Sequence, residues 1–312
     1  MRFEPTSDQR DFAAAVDGLL SASDTVAVAR AWAEGDTEPG LRLWSRLAEQ
    51  GVNALLVPED VGGLGASRVE LVIAFELLGR HGVPGPWVES AAYLPVALTD
   101  TETLAALAEG AVGTVAAPPH APLALDADVA DHVYLATATG LVGGAVGTGK
   151  VSVDRTRRLF EVSGVDGDGS PAPLDAAFDS AALATAAQLL GAGERLLADS
   201  VTYVKQRKQF GREIGSYQAI KHALADVRIG LDFARPLLLG AALGEVPAGA
   251  AKVACGDAAY RASRTGLQVH GAIGYTQEFD LSVWVTKVRA LVTAWGTPAL
   301  HRGRLLESLV GA

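Results

Sequence analysis

Residues 203–226 read YVKQRKQFGREIGSYQAIKHALAD, and the placement of their glycines decides how the rest of the chain is read. Apolar residues at helical spacing run up to this segment and resume after it, so the pattern predicts two long helices joined by a tight turn at Gly211. Three cations, Arg207, Lys208 and Arg212, crowd that turn, and Phe210 stands among them. A guanidinium offers a planar fork of donors that matches a pair of phosphate oxygens. The same residues also describe a solvated helix end with a buried Phe, because basic side chains favour helix C-termini.

Working outward, helical periodicity covers the C-terminal part from about residue 174. Long helices are expected over 178–208, 215–243, 247–270 and 279–294, with a short terminal helix from Pro298. Breaks fall at Gly211, Gly215, Gly271, Gly274 and Gly296. Upstream, over 109–173, the texture changes to AVGTVAA, HVYLATA, GLVGGAV, KVSV and RLFEVSG, short Val- and Thr-rich runs separated by Gly, Pro and Asp. These read as strands of a small β module, with nothing placed between Pro118 and Asp131. Residues 1–108 are helical again. Ser7 is the expected cap of a first helix carrying Phe12, Val16, Leu19 and Leu20. A second helix presents Leu41, Trp44 and Leu47 and stops at Gly51. Ser67 and Glu70 form a capping-box pattern ahead of a helix that is apolar almost all round, and therefore central. The expected fold is thus α+β and mostly α: an N-terminal helical domain (1–108), a reduced β module (109–173) and a C-terminal bundle of long helices (174–312).

Composition narrows the function. The 312 residues hold 26 Lys+Arg against 36 Asp+Glu, a net charge of −10, which argues against nucleic-acid binding through a basic surface. With 49% hydrophobic and 20% charged residues the chain has ample material for a core. The apolar runs at 69–78 and 181–197 are interrupted by Glu70, Glu76, Glu194 and Arg195, so no membrane span is expected. A mean hydropathy of +0.22 then requires burial in a core or against another subunit, and an oligomer is expected. The start, MRFEPTSDQRDF, lacks the apolar centre of an export signal, and a lone cysteine, Cys255, suits a reducing cytoplasm and excludes a Cys-based zinc site.

Several patterns carry no chemistry. GGAVGTGKV at 143–151 has the glycine and lysine spacing of a phosphate loop but lacks the Ser or Thr after Lys150, and a strand follows instead of a helix, so it reads as a Gly-rich hairpin. The six histidines show no paired spacing, leaving a metal site without support. No Gly-x-Ser-x-Gly occurs.

The run Tyr-x-x-x-Arg-x-Gln-Phe-Gly-x-x-Ile-x-x-Tyr-Gln, followed by Leu224-Ala225-Asp226, resembles the C-terminal signature of the flavin-dependent acyl-CoA dehydrogenases. LQVHGAIGYTQEFDL at 267–281 is similar to that family's Gln-x-x-Gly-Gly-x-Gly-Tyr block, and residues 44–82 resemble its first helical domain. The resemblance implies α,β-dehydrogenation of an acyl-CoA thioester, in which a carboxylate takes the α-proton and FAD takes the hydride. It implies FAD shared across a subunit interface. Arg207 would meet the pyrophosphate, Gln209 and Phe210 would border the adenosine half, and Gln268 and Gly271 would complete the pocket. An electron-transfer acceptor is implied as well.

The departures from the family matter as much. Aligned from Gln268, the family's catalytic Glu falls on Trp295, followed by Gly296-Thr297; its second known location falls on Ala181. Neither side chain can accept a proton. Asp179 and Glu278 are the nearest carboxylates, and Glu278, which matches a family Glu, reads as structural. The flavin-cradling stretch of the family's β domain has no counterpart here, and Ala272 replaces a glycine. Some bacterial members are α2β2 assemblies in which a degenerate subunit completes the FAD site, and this chain resembles that smaller subunit. The assembly implied is a heterotetramer with a homologous subunit or a homo-oligomer, and two alternative functions stay open: a self-sufficient enzyme with Asp179 or Glu278 as base, and a helical assembly protein that has lost FAD.

Overall fold

A computed structural model of the chain describes residues 3–165 and 169–311. Helices α1 (Ser7–Ser21), α2 (Thr25–Ala33), α3 (Glu38–Glu49) and α4 (Arg68–Arg80) form the N-terminal layer. The cap of α1 is Thr6, one residue before the expected Ser7. Its hydroxyl accepts from the Gln9 N–H at 3.2 Å while the Gln9 side chain accepts from the Thr6 N–H at 3.0 Å, so two otherwise orphaned donors are satisfied at once. The separate helix α2 starts on Asp24, whose carboxylate accepts from the Ala27 N–H. Ser67 caps α4 as expected, and Gln9 donates to Glu70 at 2.8 Å, tying α1 to α4. After α4 the chain forms a π-helical turn, Glu89–Tyr93, then α5 (Leu94–Ala97) and α6 (Thr101–Ala108).

The β strands follow: β1 (Gly113–Ala116), β2 (Ala124–Leu125), β3 (His132–Thr137), β4 (Gly140–Lys150) and β5 (Leu159–Gly164), in the order β1-β3-β4-β5-β2. β1 and β3 are parallel, with Gly113 opposite His132, and the other pairs are antiparallel. Thr114 Oγ1 donates to the Leu125 carbonyl at 2.7 Å, drawing the two outer strands together. Two expectations change here. GGAVGTGKV is no hairpin: its residues 143–150 lie within the single strand β4, which absorbs them through a register shift between Val146 and Gly149, and KVSV contributes only Lys150 to a strand. The segment left unassigned holds β2, whose Ala124 and Leu125 are fully buried.

The C-terminal bundle contains α7 (Leu174–Gln206), α8 (Gln218–Ala242), α9 (Ala248–His270), α10 (Leu281–Leu291) and α11 (Pro298–Val310). Helix α7 is the axis of the molecule. It starts earlier than expected, and almost every residue from Ser180 to Gly193 is buried. α4 crosses it at backbone distance, because a Cβ on Gly191 would lie 1.9 Å from the Glu76 carbonyl oxygen and one on Gly79 would lie 2.1 Å from that of Gln188. Arg235 of α8 binds Glu76 through both carboxylate oxygens at 2.8 Å and Glu194 of α7 at 3.1 Å, while Arg228 holds Glu194 at 2.7 Å. A charged network thus stitches α4, α7 and α8 at the edge of the apolar core. No single described helix is long and apolar enough to cross a membrane.

Candidate functional site

The link between α7 and α8 is a β-hairpin and not a bare turn. β6 (Lys208–Gln209) pairs with β7 (Arg212–Glu213), and Phe210 and Gly211 form its two-residue loop with φ of 52° and 81°. Two successive positive φ values match the right-handed twist of the flanking strands. Gly adopts this conformation freely, whereas Phe does so at some cost. The Phe210 ring is 91% exposed, so the reading of a buried Phe at a solvated helix end is overturned. The hairpin base is closed by the Ile214 N–H donating to the Arg207 carbonyl at 2.9 Å, and Arg212 lies over the Tyr217 ring at 3.8 Å. Arg207 itself is exposed and has no carboxylate partner among the described residues.

The end of α9 comes to the same end of the bundle. Tyr203, one turn before Arg207, stacks on His270 with ring centroids 4.2 Å apart, and its hydroxyl donates to the His270 carbonyl at 3.4 Å. Gln268 and Gly271 flank His270; both are exposed, and Gly271 has φ 65°. The fold therefore brings the ends of α7 and α9 together, presenting an unpaired guanidinium, amides, a flat aromatic face and a glycine backbone at one exposed edge.

The two positions on which the resemblance places a base, Ala181 and Trp295, are sealed. Ala181 is fully buried in α7. Trp295 is 2% exposed and sits at φ 52°, its indole N–H donating to Glu89 Oε1 at 3.2 Å and its ring packed on Tyr93 with centroids 4.9 Å apart. His301 bonds the Trp295 carbonyl at 2.9 Å, and Gly296 lies so close to the His301 ring that a Cβ there would collide with it. Gly296-Thr297 thus has a structural task independent of chemistry, since Thr297 also caps α11. Asp179 is taken up by Arg304 at 2.8 Å. The side chain of Glu278 is exposed, contrary to a buried structural role, and its backbone carbonyl accepts from Arg30 at 2.7 Å.

Three buried carboxyls escaped the sequence reading: Glu89, Asp126 and Asp154, the last of which accepts from Thr156 at 2.8 Å and from Lys287 at 3.3 Å. Glu89 of the π-helical turn is 3% exposed, and burial raises its pKa, opposed by the nearby Arg157 and its hydrogen bonds. Its only signal was a single carboxylate in the apolar run PWVESAAYLPV. Asp126, at φ 52°, accepts from the Trp32 indole at 3.0 Å and from Arg158 at 3.2 Å. Burial pushes its pKa up to about 7.

Comparison with known proteins adds the family. The model described as "Acyl-CoA dehydrogenase, N-terminal domain" matches residues 6–103, and "Acyl-CoA dehydrogenase, C-terminal domain" matches 167–310. This chain belongs to the acyl-CoA dehydrogenase family. It is 33% identical over 290 residues to acyl-CoA dehydrogenase IpdE2 of Mycobacterium tuberculosis, covering 90% of each chain. To the protein of the same name from Mycolicibacterium smegmatis it is 34% identical over 272 residues, covering 84% of this chain and 86% of that one. Among solved structures it resembles butyryl-CoA dehydrogenase of Megasphaera elsdenii, with a TM-score of 0.80 at 21% identity over 98% of this chain and 100% of that one. It also resembles the ChsE4-ChsE5 complex of Mycobacterium tuberculosis, with a TM-score of 0.80 at 24% identity over the full length of both chains. The chain therefore keeps the acyl-CoA dehydrogenase fold over its full length.

Proposed function

We propose that this chain is the non-catalytic subunit of a heteromeric, FAD-dependent acyl-CoA dehydrogenase of the cytoplasm, holding its partner's FAD and leaving proton abstraction to that partner. The observation that carries the reading is the contrast between the two ends of the bundle. Trp295, locked to Glu89 and Tyr93, offers no proton acceptor where the family has one. The hairpin after α7, by contrast, holds Arg207, Gln209 and Phe210 exposed, with Gln268 and Gly271 alongside.

These residues suit the dinucleotide. A guanidinium without a carboxylate partner can give two charge-assisted hydrogen bonds to a pyrophosphate. Phe210 presents a flat face for a purine ring, and the hydrogen-bonded hairpin holds both before the cofactor arrives. Among the described residues nothing covers the Phe210 ring, so a partner polypeptide would supply the cover. When bound, FAD supplies the hydride acceptor for dehydrogenation of the acyl thioester. The fold-level likeness to a chain of a two-protein complex is consistent with this assembly, and an electron-transfer acceptor would reoxidise it.

Co-expression with a larger homologue, followed by a visible spectrum of the purified complex, tests the proposal. FAD is expected to be retained by the complex and poorly by this chain alone. Arg207→Ala should weaken FAD binding by about 1.5–3 kcal/mol, the usual worth of a charged hydrogen bond. Stoichiometric FAD on the isolated chain, with turnover of an acyl-CoA, would refute it.

A further inference from the structure

The hairpin after α7 carries more positive charge than a dinucleotide can use. Over residues 205–221 five cations, Lys205, Arg207, Lys208, Arg212 and Lys221, stand against one carboxylate, Glu213, in a chain whose net charge is −10. All six residues are exposed. Lys208 lies opposite Glu213 in the hairpin register, yet none of the five cations forms an ion pair among the described residues. By contrast, Arg195, Arg228, Arg235, Arg302 and Arg304 of the same bundle each hold a carboxylate at 2.7–2.8 Å. The patch continues onto α9. That helix runs beside α7, a Cβ on Gly193 lying 3.2 Å from the Ala259 Cα, and both helices end at the Tyr203–His270 stack. Arg264 and Arg261 lie one and two turns before Gln268, exposed and likewise without a carboxylate among the described residues.

Like charges gathered this closely repel, and the folded chain does nothing to relieve them. A pyrophosphate brings two negative charges, which the Arg207 fork can meet, and the other cations stay uncompensated. Nucleic acid is a poor cover, because the rest of the chain is acidic and repels a polyanion. Protein carboxylates, which can be spaced around a bound cofactor, are a better one. We propose, resting on the heteromeric reading above, that this end of the bundle docks an acidic face of the partner subunit, with Lys205, Lys208, Lys221, Arg261 and Arg264 as a cationic rim around the dinucleotide contact. Charges on the rim of an interface act mainly on the rate of encounter, and salt screens them. The rim therefore draws the partner in with its cofactor turned toward Arg207, and the contacts nearer Phe210 hold it afterwards.

The test measures association of the full chain with the larger homologue of the co-expression experiment, the two purified separately and mixed with FAD in a biosensor flow cell. Raising salt from about 0.1 M to about 1 M shortens the screening length from about 10 Å to about 3 Å. Association is expected to slow at least roughly tenfold as a result. At the lower salt, Lys205→Glu with Lys221→Glu, and Arg261→Glu with Arg264→Glu, should each slow it by a similar factor, with dissociation within about twofold of the parent. Arg46→Glu with Arg68→Glu, the same change of charge at exposed positions of α3 and α4, should match the parent. Association indifferent to salt, or reversals no slower than this control, overturns the proposal. So does sedimentation in which the isolated chain pairs with itself and both reversals abolish the pairing, or a DNA duplex bound as tightly as the homologue, which would mean an unselective polyanion patch. The salt dependence of the parent needs no variant, so the test stands if a reversal fails to fold. FAD retention is read at saturating homologue: a complex that keeps FAD but ignores charge removes this proposal alone, whereas the absence of any complex removes the heteromeric reading with it.

Discussion

Replacing Gly191 by Ala sets two effects of known size against each other. In a solvated helix the change would be favourable, since Gly costs about 1 kcal/mol relative to Ala. In α7 the new Cβ would lie 1.9 Å from the Glu76 carbonyl oxygen and 2.8 Å from the Arg80 nitrogen, both backbone atoms that cannot rotate aside. Carbon contacts are comfortable only near ~3.5 Å, so α4 and α7 would have to part by roughly 1 Å. Overpacking of this kind typically costs about 1–3 kcal/mol. The displacement also pulls Glu76 from Arg235, a pair exposed enough to add only about 1 kcal/mol after solvent screening. Packing wins, and Gly191→Ala should be destabilised by about 1–3 kcal/mol net. At roughly 2–4 °C per kcal/mol for large domains, the midpoint of thermal unfolding falls by several degrees. Gly18→Ala in α1, where a Cβ meets nothing within 4 Å, is the matched control and should gain up to about 1 kcal/mol. Circular dichroism melts of both variants give the answer. If Gly191→Ala melts no lower than Gly18→Ala, the backbone-distance crossing of α4 and α7 is wrong.

Asp126 should impose a pH dependence: its folded pKa of about 7 lies above the ordinary aspartate value of 3.8, so the folded state binds the proton more tightly. Stability is then fully present below about pH 4 and lost as pH rises to about 7, by up to about 4 kcal/mol at ~1.4 kcal/mol per unit; urea titrations across this range should slope for the parent and flatten for Asp126→Asn. Lys252 donates to the Leu291 and Val292 carbonyls at 2.9 and 3.1 Å, so Lys252→Met should leave buried acceptors unpaired and cost about 1–3 kcal/mol by chemical denaturation. Trp295→Phe removes the indole donor to Glu89 and should destabilise by a similar ~1–3 kcal/mol, with Tyr93 packing kept; an unchanged denaturation midpoint would contradict the buried bond.

Much of the architecture was legible because its helices are long. A periodic apolar face over 20 or so residues is a strong signal, and α7, α8 and α9 came within a few residues of their observed bounds. Short elements were not. The nine-residue α2 was missed, and β2 lay hidden among prolines in a segment with no alternation. β4 was cut in two because its glycines look like turn residues, yet they sit in strand backbone, paired to β5. For the candidate site, Arg207, Gln209, Phe210, Gln268 and Gly271 could be named from spacing and resemblance, but the exposure of Phe210 could not. An isolated Phe reads as core, and only the hairpin, with two left-handed residues at its tip, turns it outward.

Local order carries its own signals: caps, periodicity and glycine stops depend on neighbours a few residues away, so the alternation of helices, strands and helices is written along the chain. That position 295 holds an indole and not a carboxylate is equally a matter of one letter in a row. What only the folded molecule decides is which distant residues share a volume. Glu89 and Trp295 are 206 positions apart, and Tyr203 and His270 are 67 apart. The first meeting depends on the π-helical turn that carries Glu89, the second on the packing of α9 against α7. Burial then sets the chemistry, because a carboxyl titrating near neutrality exists only where packing has removed water.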